Sequence, residues 1–222
     1  MARLAIRALI KYTLGIVLVG MMLFLPAGSF HYGGAWLFMG LLFIPMLFLG
    51  ILLFLKAPHL LEKRISAKES EKTQKGVVAL SGLLFALGFL VAGLDYRFGW
   101  SRVPLWVVII SSLLLLISYA MYAEVMRENA YLSRTVEVQK DQKVVDTGLY
   151  GIVRHPMYAV TVWLFFSIPL VLGSFWSLLC FAPYLAVIVI RIINEEKVLE
   201  QGLVGYAEYK KRVKYRLFPW IW

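Results

Sequence analysis

The chain has one cysteine, Cys180, in 222 residues, so an intrachain disulfide is excluded and cysteine pairing says nothing about the compartment of its loops. Histidine is nearly as scarce. His31 and His59 stand at no metal-ligand spacing from His155, and no metal is expected. Acidic residues number 13 against 23 basic ones, an excess that in a soluble protein would suggest nucleic acid. Here the basic residues lie in blocks between apolar runs, as in the cytoplasmic loops of membrane proteins, and no nucleic-acid partner is expected. The centres of the first four apolar runs lack Asp, Glu, Lys and Arg, which argues against a proton relay or ion pathway. No repeat or low-complexity tract divides the chain, and one integrated membrane domain is the simplest organisation.

What the chain has in abundance is apolar sequence. Hydrophobic residues make up 61% of it, against roughly 45–50% in an ordinary soluble domain, which predicts an integral, multi-pass, all-α membrane protein. Runs suited to crossing the bilayer lie near Tyr12–Leu25, Ala35–Leu55, Val77–Leu94 and Leu105–Ala123. The stretch Pro156–Ile190 is too long for one crossing, and Pro169 with Gly173-Ser174 predicts that it folds back as a short helical hairpin. About six membrane helices result. Of the 23 Lys and Arg residues, 21 fall on one side of this topology and only Arg97 and Arg102 on the other. The positive-inside rule therefore predicts cytosolic termini. Arg3, Arg7 and Lys11 recur every four residues, as expected of side chains snorkelling toward anionic membrane lipids. The opening resembles a secretory signal peptide, but further spans follow at once, and an uncleaved signal anchor is expected.

Polar chemistry gathers in two pieces at the cytosolic boundary. The first is Gly148–Tyr158, GLYGIVRHPMY. Gly148 allows an unusual backbone angle, and Pro156 suits the first turn of a helix. Arg154 and His155 then sit at a helix N-terminus, where free N–H groups and the helix dipole favour an anion; lipid-phosphate anchoring by Arg154 and helix capping by His155 explain the same residues. In the second piece Arg191 and Glu195 are spaced i, i+4 on one helical face, with Glu196 offset. The hairpin predicts that both pieces meet at one depth. Glu124 and Glu128 read as a solvated helix face, and the tail YAEYKKRVKYRLFPWIW as a segment suited to a membrane surface.

Three motifs in order, GLYGIVRHPMY, RIINEEKVL and YAEYKKRVKYRLFP, resemble the C-terminal half of the isoprenylcysteine carboxyl methyltransferases and the related membrane phospholipid methyltransferases. The resemblance covers roughly residues 144–219. It divides the chain into helices one to four, residues 1–143, and a cofactor-binding module, residues 144–222. It implies S-adenosylmethionine as cofactor and a lipophilic methyl acceptor arriving from the bilayer, with an isoprenylcysteine-like carboxylate favoured. Cofactor contacts are implied at Gly148, Leu149, Tyr150, Val153, His155, Pro156, Tyr158, Glu195 and Glu196, and catalytic roles at Arg154, Arg191 and Glu195. The compact length suits a prokaryotic inner membrane. Membrane sterol reductases, which use NADPH, also carry Arg-His-Pro, but they continue with Asn-Tyr and glycine where this chain has Met157-Tyr158-Ala159. A non-catalytic membrane scaffold is the remaining alternative; it must explain two polar clusters converging at one depth, and it predicts binding of neither cofactor.

Overall fold

A computed structural model describes residues 2–66, 72–129, 131 and 138–222. Among them the chain is helical throughout: α1 (Ala2–Ala27), α2 (Gly33–Lys56), α3 (Pro58–Ser66), α4 (Lys72–Phe98), α5 (Leu105–Glu128), a 3-10 turn (Gly148–Gly151), α6 (Pro156–Val171), α7 (Phe175–Phe181), α8 (Tyr184–Gly202) and α9 (Tyr206–Arg212). By length and composition, five stretches can cross a membrane: Arg3–Ala27, Gly33–Lys56, Ala79–Phe98, Leu105–Glu128 and Phe175–Gly202. The sixth apolar helix, α6, has 16 residues, about 24 Å, short of a typical 30 Å hydrocarbon core. The chain is thus an all-α integral membrane protein of about six membrane helices.

The expected hairpin forms, with its turn later than Pro169. That proline stays inside α6, whose end is set by Gly173 at φ +80°. The N–H of Gly173 donates to Leu170 O, and that of Ser174 to Pro169 O. This paired pattern closes a helix through a left-handed residue, which glycine adopts without steric cost. The return arm breaks briefly at Ala182-Pro183, then runs on as α8 well past Ile190 to Gly202. One continuous helix thereby carries Glu195 and Glu196 at a fixed rotation relative to its apolar part.

The principal core joins α1, α2, α4, α5 and the hairpin through Leu23, Phe38, Ala92, Leu115, Ile168 and Phe181. Its far end, opposite the two polar pieces, is pinned by a buried network absent from the sequence reading. Asp95 lies one residue beyond the predicted Val77–Leu94 span and is almost wholly buried. It accepts from Ser101 N at 2.7 Å, Ser101 Oγ at 2.5 Å and Ser174 Oγ at 2.5 Å. Tyr32 Oη, buried beside it, donates to Leu172 O at 2.6 Å. A buried carboxylate is tolerable when its oxygens are this well supplied with donors. The network fixes the hairpin turn against α4, and so fixes the level at which α6 and α8 emerge at the opposite end.

Candidate functional site

The segment 148–158 is held from three directions. The end of α5 grips its start: Leu149 N donates to Glu128 Oε2 at 3.0 Å, and Asn129 Nδ2 donates to Tyr150 Oη at 2.9 Å. Glu128 is therefore turned inward onto the motif, in place of the solvated face expected for it. Glu124 does form an exposed pair with Arg127. Gly148 has φ +52°, and a Cβ there would lie 1.4 Å from Glu128 Oε1. Backbone and side-chain space both demand glycine at this position. From the opposite side, Tyr209 Oη donates to Tyr150 O at 2.8 Å. Burial pushes the Tyr150 phenol up to about 12, so it stays neutral and hydrogen-bonding across the physiological range.

The tail supplies the third wall. Arg154 N donates to Tyr215 O and His155 N to Arg216 O, each at 2.9 Å. These two amides lie just ahead of the helix start that was expected to offer free N–H groups to an anion. Extended tail backbone takes them instead. The tail is consequently part of the site's framework as well as a basic, aromatic segment.

At the centre lies Glu196. Arg154 Nε donates to its Oε1 at 2.7 Å and Arg216 Nε to its Oε2 at 2.8 Å, while His155 Nε2 lies 3.3 Å from Oε1. Arg154 also donates through Nη1 to Val213 O and Lys214 O, both at 2.8 Å. Arg154, His155 and Glu196 are all buried. The structure thus commits Arg154 to Glu196 and the tail carbonyls, where the sequence suggested that it orients an acceptor or meets lipid phosphate. His155 occupies the N-cap position of α6 with no side-chain capping bond.

Glu195 differs from its neighbour. Its side chain is 27% exposed, and its Oε2 accepts from Tyr158 Oη at 2.5 Å. Tyr158 Oη in turn accepts from Arg191 Nε at 2.8 Å. The i, i+4 pair expected between Arg191 and Glu195 is thus joined through a phenol from α6. His155 Nδ1 stands 3.9 Å from Glu195 Oε1, so the imidazole lies between the two glutamates.

Among the described residues, one buried polar atom near this cluster has no partner, the hydroxyl of Tyr206. Its acidity is suppressed well beyond an ordinary phenol by burial, then by the charge of Glu196. Sequence reasoning missed Tyr206, Arg216 and Glu128 as site residues. Each sits in a segment whose charge or aromaticity had an adequate explanation at the membrane surface. Among the predicted contacts, Tyr150 and Val153 are buried, Pro156 opens α6, and Leu149 contributes its amide.

Residues 106–203, from the first turn of α5 to the C-cap of α8, match the family model for phospholipid methyltransferase. Arg216 and the tail carbonyls lie beyond the matched segment. No curated protein matches the chain.

Proposed function

With α5 to α8 carrying the phospholipid methyltransferase match, we propose that the protein is a membrane methyltransferase that takes its methyl group from S-adenosylmethionine and delivers it to a lipophilic acceptor at the cytosolic face. The observation that carries this reading is the division of labour between adjacent glutamates. Glu196 is buried and already met by Arg154 and Arg216, whereas Glu195 is partly exposed and held by a neutral phenol. A fixed, reachable carboxylate suits the ammonium end of an amino-acid-like cofactor.

The chemistry of the surrounding groups fits this cofactor. The Tyr206 hydroxyl is a buried donor with no partner among the described residues, and leaving such a group unsatisfied costs about 1–3 kcal/mol. A ligand carboxylate or ribose oxygen reaching it on local adjustment of the tail would recover that cost. The cofactor, when bound, supplies an electrophilic methyl group on a sulfonium that is its own leaving group. Glu195 would hold the cofactor's amino group, and the His155 imidazole would set the separation of the two glutamates. Arg154 and Arg216 keep Glu196 ionised and stationary and act as positioning residues. Catalysis then rests on alignment and exclusion of water more than on acid–base chemistry.

For the acceptor, an isoprenylcysteine-type carboxylate would be oriented by Arg191, since Arg154 is committed elsewhere. Such an acceptor arrives already deprotonated and needs no base. The name of the matched family favours a second acceptor, a phospholipid amine, which has to lose a proton; Glu195 is the candidate base for it.

The test is equilibrium binding of S-adenosylmethionine and of NADPH to the purified protein, with Glu195→Ala and Tyr206→Phe alongside. Methyl transfer to a farnesylated N-acetylcysteine and to phosphatidylethanolamine is measured next. Selective S-adenosylmethionine binding, weakened by both substitutions, supports the reading; NADPH binding in its place overturns it.

A further inference from the structure

The C-terminal turn is built to project two apolar side chains. Trp220 has φ +62°, a conformation rare and costly for a bulky residue. It persists because the backbone around it is over-determined. Arg216 N and Leu217 N both donate to Trp222 O, at 2.8 and 3.0 Å, and Ile221 N donates to Phe218 O at 3.2 Å. The Arg216 guanidinium lies 5.0 Å from the centroid of the Trp222 ring. Within this closed loop Leu217 is buried and Trp222 half-buried, yet Trp220 and Ile221 are 86% and 80% exposed.

The depth of the loop is set by its neighbours. Leu217, Phe218 and Trp222 pack with Ala159, Val162 and Ile188 of α6 and α8. Phe218 meets the Trp163 ring edge-on at 5.8 Å. Trp163 is seven residues into α6, which places Phe218 about 10 Å along the helix from Pro156. Helix α6 carries no charged side chain over its whole length. The loop therefore lies beside the apolar part of a membrane helix, while Lys210 pairs with Glu200 and Arg212 with Asp146 at the polar end.

We propose that the turn 217–222 is an interfacial wedge, with Trp220 and Ile221 inserted among the lipids of the leaflet that bears the candidate site. The partner it fits is the headgroup–acyl boundary, where tryptophan is at home and basic residues meet anionic headgroups. The wedge is one residue from Arg216, which holds Glu196, so lipid contact fixes the wall of the site nearest to any acceptor entering from the bilayer. Where this segment sits does not depend on which cofactor the protein binds.

The experiment places a single cysteine at 220, at 221 or at 204 in a Cys180→Ala background and attaches an environment-sensitive fluorophore to each. Val204, 95% exposed in the loop between α8 and α9, is the aqueous control. The protein is reconstituted in vesicles of phosphatidylcholine with phosphatidylglycerol, and quenching by aqueous iodide is compared with quenching by shallow nitroxide lipids. Probes at 220 and 221 are expected to be quenched by the nitroxide lipids and shielded from iodide, with the reverse at 204. Iodide quenching at 220 and 221 equal to that at 204 would overturn the proposal. Cofactor binding by the unlabelled Cys180→Ala protein reports separately on the methyltransferase reading.

Discussion

Tyr158 and Glu195 are joined by a 2.5 Å hydrogen bond between a phenol on α6 and a carboxylate on α8, across the mouth of the hairpin. Because the same phenol accepts from Arg191, Tyr158→Phe uncouples both charged groups at once. Hydrogen bonds to charged groups contribute about 1.5–3 kcal/mol, which, if lost from the transition state, corresponds to about a 10- to 150-fold loss of turnover. Because the phenol fixes the carboxylate proposed to hold the donor's amino group, donor affinity should fall together with turnover in paired binding and rate measurements. Unchanged donor affinity would remove Tyr158 from holding the cofactor and assign it to acceptor chemistry.

Glu196→Gln should act mainly on stability. It leaves the buried Arg154 guanidinium and the partly exposed Arg216 facing a neutral amide, and breaking one side of a buried ion pair costs about 3–5 kcal/mol. Thermal unfolding in detergent should shift markedly downward, and Arg216→Lys should fall between the variant and the parent protein. An unchanged midpoint for Glu196→Gln would mean that the cluster carries little of the fold's stability.

At Gly148 the obstacle to a side chain is identifiable as the Glu128 carboxylate. Gly148→Ala is expected to weaken donor binding, and Glu128→Gly added to it should restore part of the loss by making space. The residual deficit reports the backbone cost of a positive φ for alanine. If the second substitution restores nothing, the clash is not what limits Gly148→Ala.

Alkaline stability follows from the buried phenols of the site. The folded-state value of Tyr150 is raised from 10.0 to about 12 by burial. Between these values the unfolded chain gives up the proton first, so the folded state binds more protons and stability falls as pH rises. Tyr209, raised by burial and by Tyr150, adds in the same direction. The contribution is fully present below about pH 10 and is lost as pH climbs toward the folded value. Unfolding followed from pH 9 upward, at about unit intervals, should show a decline that Tyr150→Phe makes shallower.

The architecture was legible because lipid enforces it: long apolar runs must be helices, and Gly173-Ser174 in mid-run had to be a turn. Arg154, His155, Glu195 and Glu196 were legible because charge at the edge of an apolar helix is costly unless it is used or paired. The partners were harder to see. Arg216 lies 20 residues from Glu196 and Glu128 lies 21 from Leu149, separations with no helical periodicity between them. Both residues also had plausible solvent or headgroup roles. Asp95 was hidden by its place at the end of a span, where a lone acid normally reaches water; only the folded hairpin brings Ser174 to cover it. Tyr206 gave no sequence signal as a site residue, since an unsatisfied hydroxyl can be recognised only once everything around it is placed.

The dependence of the central cluster on residues 213–216 has a consequence for biosynthesis. These residues follow α1 to α8 in the chain, so a nascent chain that has just completed those helices has Glu196 and Arg154 but neither Arg216 nor the carbonyls that fix Arg154. The half-made protein can thread its helices into the membrane while its polar centre stays open. Assembly of that centre waits until residue 216 has been made, and a chain that stalls earlier lacks the partners that close it around Glu196.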